Sequence, residues 1–327
     1  MVWAAGTARA ARKIATAAAL GGGGLTALGA TAYGLLMAES LLARKVIGRP
    51  HGMEGPPSDG VYGDFPGTPL TMVLLGDSLS VGLGMTDPAG TPGVLLAHGL
   101  ASVAERPVRL RVVGKSGAPS AELAGQVDRA LKAEPQLAVI FVGANDVTTQ
   151  TPPAVAVRHL SNAVRRLREA GAEVVVGTCP DLGTVRPIAQ PLRWVTRRWS
   201  RQLAAAQTVA VVDAGGRTVS FADVLGPDFA TNPGEMFGPD RFHPSARGYA
   251  QAAYAVLPSV CAALGLWPEP RPARGEGLQP IYLAAATAAE EPGTEVSATT
   301  VAGRATGLHG KWATLFRRRL GESPNDA

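Results

Sequence analysis

The fold class predicted for this chain is α/β: a three-layer α/β/α sandwich whose middle layer is a five-stranded parallel sheet. Three observations predict it. Between Leu70 and Trp267, short apolar runs alternate with helix-like stretches. The runs are continuously apolar rather than alternating, as expected of strands buried on both faces by helices. Three clusters of Gly, Asp, Asn and Ser each follow such a run, at the strand carboxyl end where ligands gather in doubly wound sheets.

Taken in order, residues 1–49 come first. Ile14 to Ala38 carry no charge and are flanked by Arg12-Lys13 and Glu39. At ~1.5 Å per residue, a helix of that length crosses a hydrocarbon core of roughly 30 Å. The segment is therefore expected to be a membrane anchor or a signal segment. Ala30-Thr31-Ala32 offers a small-x-small cleavage site, while Gly21 to Gly24 weaken the span and leave a buried Ala/Gly-rich helix as the alternative. Residues 50–69 are expected to be a Gly/Pro-rich linker.

Residues 70–267 form the predicted catalytic-size domain. Its strands are expected at Leu70–Leu75, Val108–Val113, Leu137–Val142, Val174–Val176 and Val209–Val212. Helices are expected at about Pro92–Ala104, Ser120–Lys132, Ala154–Ala170, Leu192–Ala206 and Ser245–Leu264. Residues 268–327 read as a linker-like tail rich in Pro, Ala, Glu and Gly. It ends in a basic amphipathic helix with Leu308, Trp312, Leu315 and Phe316 beside Lys311 and Arg317 to Arg319. Such a helix lies in a membrane interface or docks on the domain.

Charge narrows the partners. The net charge is +5, and residues 1–49 hold Arg9, Arg12, Lys13, Arg44, Lys45 and Arg49 against Glu39 alone. That accounts for the whole excess, so the rest of the chain is neutral. A nucleic-acid binder carries its basic stripe on the folded domain, so nucleic acid is excluded and a membrane favoured. Two cysteines, Cys179 and Cys261, exclude a disulfide-dense scaffold. They are expected either to pair, if the domain is exported, or to remain two buried thiols. His51, His98, His159 and His309 lack a carboxylate or cysteine at ligand spacing, so no metal and no cofactor are expected.

Four motifs carry chemistry. Gly76-Asp77-Ser78-Leu79 follows the first strand; a serine on a strand-to-helix turn projects its hydroxyl beside a helix N-terminus. Gly114-Lys115-Ser116-Gly117 follows the second strand and can leave a glycine amide pointing into a cavity. Gly143-Ala144-Asn145-Asp146 follows the third, and an asparagine amide donates to an oxyanion without titrating. Asp240-Arg241-Phe242-His243-Pro244 precedes the last helix and places a carboxylate three positions before an imidazole. Each alone is equally an ordinary capped turn. Together they supply a nucleophile, donors for a tetrahedral oxyanion, a base and its orienter.

On these four blocks the sequence resembles the SGNH (GDSL) hydrolase superfamily over roughly Leu70–Leu264. A nearer likeness is to exported or membrane-anchored actinobacterial SGNH esterases. The resemblance implies a flavodoxin-like five-stranded parallel sheet and an ester hydrolase. It assigns Ser78, Asp240 and His243 as the triad, and Ser78, Gly117 and Asn145 as oxyanion donors. The second block departs from the family's pattern, since Val112-Val113 stand where an asparagine is often found, which sets Gly117 against Gly114 as the donor.

The expected substrate is an acyl ester of a cell-envelope lipid or acylated carbohydrate, with the domain outside the cytoplasm. An acyltransferase of the same fold and a non-catalytic envelope-binding protein are the competing readings. Arg193, Arg197, Arg198 and Arg201, with Trp194 and Trp199, form a solvated basic helix face or a lipid- or substrate-guiding surface. The connections Pro180–Pro191 and Phe221–Met236 flank the expected site and are candidates for shaping its pocket.

Overall fold

The computed structural model describes residues 23–47, 54–222, 226–267, 278–291, 293–298, 300–301, 304–305 and 312–317. In chain order the elements are α1 (Gly23–Ile47), β1 (Gly60–Tyr62), β2 (Leu70–Gly76), α2 (Ser78–Val81), α3 (Pro92–Ala104) and β3 (Val108–Val112). Then come α4 (Leu123–Leu131), β4 (Leu137–Phe141), α5 (Ala144–Thr148), α6 (Pro153–Glu169), β5 (Glu173–Gly177), α7 (Leu192–Asp213) and β6 (Arg217–Val219). The chain continues through α8 (Pro227–Thr231), α9 (Pro233–Met236), α10 (Ala246–Ala263), β7 (Leu278–Pro280) and α11 (Ile281–Glu290). It closes with β8 (Thr294–Ala298), β9 (Thr300–Val301), β10 (Arg304–Ala305) and β11 (Trp312–Arg317).

The five central strands, in the order β3-β2-β4-β5-β6, are all parallel. Strand β2 shows why its run is continuously apolar. Met72 and Leu74 enter one core with Leu100 of α3 and Val256 of α10. Val73 and Leu75 enter the opposite core with Val127 of α4, Val164 of α6 and Val211 of α7. Side chains alternate across a strand, so both faces need apolar residues when both are covered by helices. Each such side chain contributes on the order of 1.5–3 kcal/mol by leaving water.

The sheet extends beyond these five strands. The segment expected to be a linker supplies β1, antiparallel to β3. Asp59 beside it accepts from the Val112 amide at 2.7 Å and from Arg111 at 3.0 Å. On the far edge the tail adds β8, β11 and β7, all antiparallel, against β6. Residues 312–317 are thus a strand, not the expected amphipathic helix; Leu308 and Lys311 lie outside the described residues. An uncovered β6 would present unpaired backbone groups, and the tail satisfies them. Glu295 of β8 fixes the extension: fully buried, it accepts from Arg217 and from Ser259, each at 2.7 Å.

One further expectation is corrected. The run Val209–Val212 is the last turn of α7, and the fifth parallel strand is Arg217–Val219. The buried positions of α7, Ser200, Leu203, Ala204, Gln207, Thr208, Val211 and Val212, recur at helical spacing. Four apolar residues in a row do not distinguish a strand from a buried helix turn.

The expected span Ile14–Ala38 lies only partly within the described residues. Its residues 14–22 lie outside the described residues, and from Gly23 the helix runs on through Glu39 and Lys45 to Ile47. No helix among the described residues is long and apolar enough to cross a membrane. Helix α1 contacts the domain, where the buried Glu39 carboxylate accepts from the Leu192 amide at 2.8 Å. It thereby caps the N-terminus of α7, which has no side-chain cap of its own.

Candidate active site

At the end of β2 the chain turns sharply. Gly76 has φ +125, and a Cβ there would sit 1.8 Å from the Phe141 carbonyl oxygen, so only glycine fits. Asp77 then caps α2 by accepting from the Leu79 amide at 3.0 Å. This places Ser78 at the first position of that helix, where an amide has no intrahelical acceptor. The turn is held from a distance by Gln126 of α4. Its side chain accepts from the Gly76 amide at 2.7 Å and donates to the Gly76 carbonyl at 2.9 Å.

The histidine arrives by a different route. A bridge between Phe237 and Pro244 closes the loop before α10, with the Gly238 amide donating to the His243 carbonyl at 2.8 Å. Inside it, Asp240 Oδ1 accepts from the amides of Phe242 and His243, both at 3.0 Å. Asp240 Oδ2 lies 2.7 Å from His243 Nδ1, and His243 Nε2 lies 3.2 Å from Ser78 Oγ. With the ring proton on Nδ1 donated to the carboxylate, Nε2 is left to accept from the hydroxyl.

Asn145, second residue of α5, donates from Nδ2 to Asp77 Oδ2 at 3.4 Å. The structure therefore joins Ser78, His243 and Asp240 in one hydrogen-bonded relay, with the bonded pair Asp77 and Asn145 beside it. Gly117 stands on the loop after β3, exposed and at φ +77. Of the two loop glycines, Gly114 directs its amide to the Leu74 carbonyl at 3.2 Å, which engages it in the sheet. A Cβ on Gly114 would also lie 2.1 Å from Ser80 Oγ, so that glycine serves close approach.

Three polar residues of this region were not singled out as functional by their sequence pattern. Asp146, fully buried, accepts from the Ser120 amide and hydroxyl and so ties the Gly117 loop to α5. Gln126 clasps Gly76. Gln207 of α7 does the same at the next strands, accepting from the Cys179 amide at 2.7 Å and donating to the Val142 carbonyl at 2.9 Å. The available signal was a glutamine on the apolar face of each helix, where an unpaired amide would be costly.

Electrostatics separates the two carboxylates nearest the imidazole. Burial pushes Asp77 up to about 6, against the opposing pull of the Leu79 amide, His243 and Asn145. Burial also acts on Asp240, but the bond to His243 and the amides of Phe242 and His243 outweigh it and hold Asp240 below the usual value. Divergent environments of this kind mark different roles. Asp240 is the residue built to stay ionised against the ring.

The two cysteines form no disulfide and are both buried, Cys179 behind the site and Cys261 on the core side of α10. Burial, with Asp77, Asp146 and Asp181 nearby, pushes the Cys179 thiol up and keeps it protonated. Of the basic face on α7, Arg197 and Arg201 both pair with the buried Asp181, while Trp194 and Trp199 are exposed. Ser78, Asp77 and His243 open onto a cleft whose walls include Leu79, Val142, Leu182, Val185, Phe221 and Phe242.

The sequence profile of the GDSL-like lipase/acylhydrolase family matches residues 74–251. Over 253 residues, 73% of this chain and 79% of the relative, the sequence is 41% identical to a GDSL-like esterase of Mycobacterium tuberculosis. Among solved structures, a catalytic mutant of an acetylxylan esterase from Geobacillus stearothermophilus aligns with 60% of this chain and 95% of its own, at a TM-score of 0.49 and 18% identity. The structure of TesA aligns with 60% of this chain and 99% of its own, at a TM-score of 0.44 and 23% identity.

Proposed function

This chain belongs to the GDSL-like lipase/acylhydrolase family, and we propose that it hydrolyses acyl esters with Ser78 as nucleophile, His243 as base and Asp240 as orienting carboxylate. What supports the assignment is the unbroken relay from Ser78 Oγ through the imidazole to Asp240. His243 takes the hydroxyl proton as Ser78 Oγ bonds to the ester carbonyl carbon. The Ser78 and Gly117 amides and the Asn145 side chain donate to the oxyanion. The proton then passes to the departing alkoxide, and water, activated by the same ring, releases the acid.

Asp240 keeps the proton on Nδ1 and stabilises the imidazolium that forms in each half-reaction. Asp77 caps the serine turn and holds Asn145, so it is a positioning residue. In Ser78→Ala or His243→Ala, hydrolysis of p-nitrophenyl butyrate should fall by about 10⁴–10⁶, because triad members act as a unit. Turnover at the wild-type rate in Ser78→Ala refutes the assignment.

We place the substrate in the cell envelope, as an acylated lipid or carbohydrate, with the domain outside the cytoplasm and tethered through the amino-terminal segment. The support is the uncharged stretch Ile14–Ala38 and the basic residues that flank it. The full chain should stay with the membrane pellet after carbonate extraction, and removing residues 1–49 should release it. Full recovery of the intact chain in the supernatant contradicts the tether.

A further inference from the structure

One wall of the cleft is built by a loop that the proposed reaction does not explain. Between β5 and α7, residues Pro180, Leu182 and Val185 face the space beside Ser78. The carboxylate of Asp181, between the first two, points the other way and is buried at 2% exposure. Its Oδ1 accepts from the Gly183 amide at 2.8 Å, and its Oδ2 accepts from Arg201 Nε at 3.0 Å and pairs with Arg197 Nε at 3.4 Å. The Leu182 amide donates to Ser200 Oγ at 3.2 Å. A Cβ on Gly183 would lie 2.5 Å from the Cβ of Arg197, so the loop backbone rests directly on α7.

Phe221, which also lines the cleft, is equally fixed. The Phe221 ring packs on Phe141 with centroids 4.9 Å apart, and a Cβ on Gly177 would lie 2.3 Å from it. The cleft therefore has apolar lining from two parts of the chain, both held by contacts that do not touch the triad. A slot of this kind receives a hydrocarbon chain, and its depth limits that chain's length.

We propose that the slot between Leu182, Val185 and Phe221 binds the acyl chain of a linear aliphatic ester, and that Asp181 is a positioning residue that sets its length limit. This rests on the ester-hydrolase reading above, with Ser78 as the attacking group. Two of the four arginines on α7 thereby acquire a role: Arg197 and Arg201 clamp Asp181, and Asp181 clamps the wall.

The test is a chain-length series of p-nitrophenyl esters from acetate to dodecanoate on the full chain. The readout is the ratio of kcat/KM for octanoate to that for acetate. This ratio cancels the fraction of folded enzyme, so general destabilisation does not move it. Up to the limit of the slot, each added methylene should raise kcat/KM roughly fourfold. Val185→Ala and Leu182→Ala, which deepen the slot, should raise the ratio by about tenfold, and Val185→Phe should lower it by a similar factor. Asp181→Asn keeps the shape but releases the guanidinium clamp, and should raise the ratio with the change in KM rather than kcat. Arg201→Gln should do the same.

Ratios within twofold of wild type in all five variants, from a protein that does hydrolyse these esters, overturn the wall and the clamp and leave the triad untouched. A wild-type protein that hydrolyses none of them and fails to react with a fluorophosphonate sinks the ester-hydrolase reading and the slot with it.

Discussion

The serine turn and the histidine turn meet at 3.2 Å, yet they are held in opposite ways. Ser78 is positioned by partners far away in sequence: the Phe141 carbonyl, the Gln126 side chain and Asn145. His243 is positioned by groups within seven residues, namely Asp240, Gly238 and Met236 with its neighbouring bridge. The nucleophile's geometry therefore belongs to the sheet and fails only with the fold. The base's geometry belongs to a single loop and can be lost while the fold stands.

The sharpest way to separate the two is Asp240→Asn. The asparagine oxygen can still accept from the amides of Phe242 and His243, so the melting temperature should change little. Its amide cannot accept the Nδ1 proton, so the ring is left in the wrong tautomer and kcat should fall by about 10³–10⁴. A fall of less than tenfold would remove Asp240 from the triad. On the other turn, Gly76→Ala should act through stability. Its Cβ would collide with the Phe141 carbonyl at a φ that only glycine adopts cheaply, and a loss of about 3–5 kcal/mol is expected from urea unfolding. An unchanged midpoint would show that the turn relaxes.

A smaller effect tests the buried carboxylate on the serine side. Folding raises Asp77 from 3.8 to about 6, so between those values the native state holds a proton that the unfolded chain has released. Stability from this group therefore falls as pH rises from about 4 to 6 and is flat on either side. The full difference is about 3 kcal/mol at 1.36 kcal/mol per unit. Asp77→Asn should flatten that part of the stability–pH curve. A curve with the same slope in the variant would place the titrating group elsewhere.

The same contrast explains what could be read from the sequence. The histidine turn is local, and Asp240-x-x-His243 announced its geometry within four residues. The serine, glycine and asparagine blocks were visible because each follows an apolar run that does form a parallel strand. Gln126 and Gln207 were not, since their partners lie at least 28 residues away and only the folded sheet brings them together. Val209–Val212 looked like a strand because four apolar residues hide their period. The tail was misread for a related reason. Its strands are stabilised by the edge of β6 rather than by their own composition, so Pro, Ala and Gly around them suggested a linker.

The most direct test of the central claim is to find which atom becomes covalently modified. The full chain is treated with a fluorophosphonate, digested and mapped by mass spectrometry, beside His243→Ala. A single adduct on the peptide containing Ser78, formed at least a hundredfold more slowly in the variant, is the result predicted by a serine activated by that imidazole. An adduct on another residue, or labelling of Ser78 at an undiminished rate without His243, would contradict it.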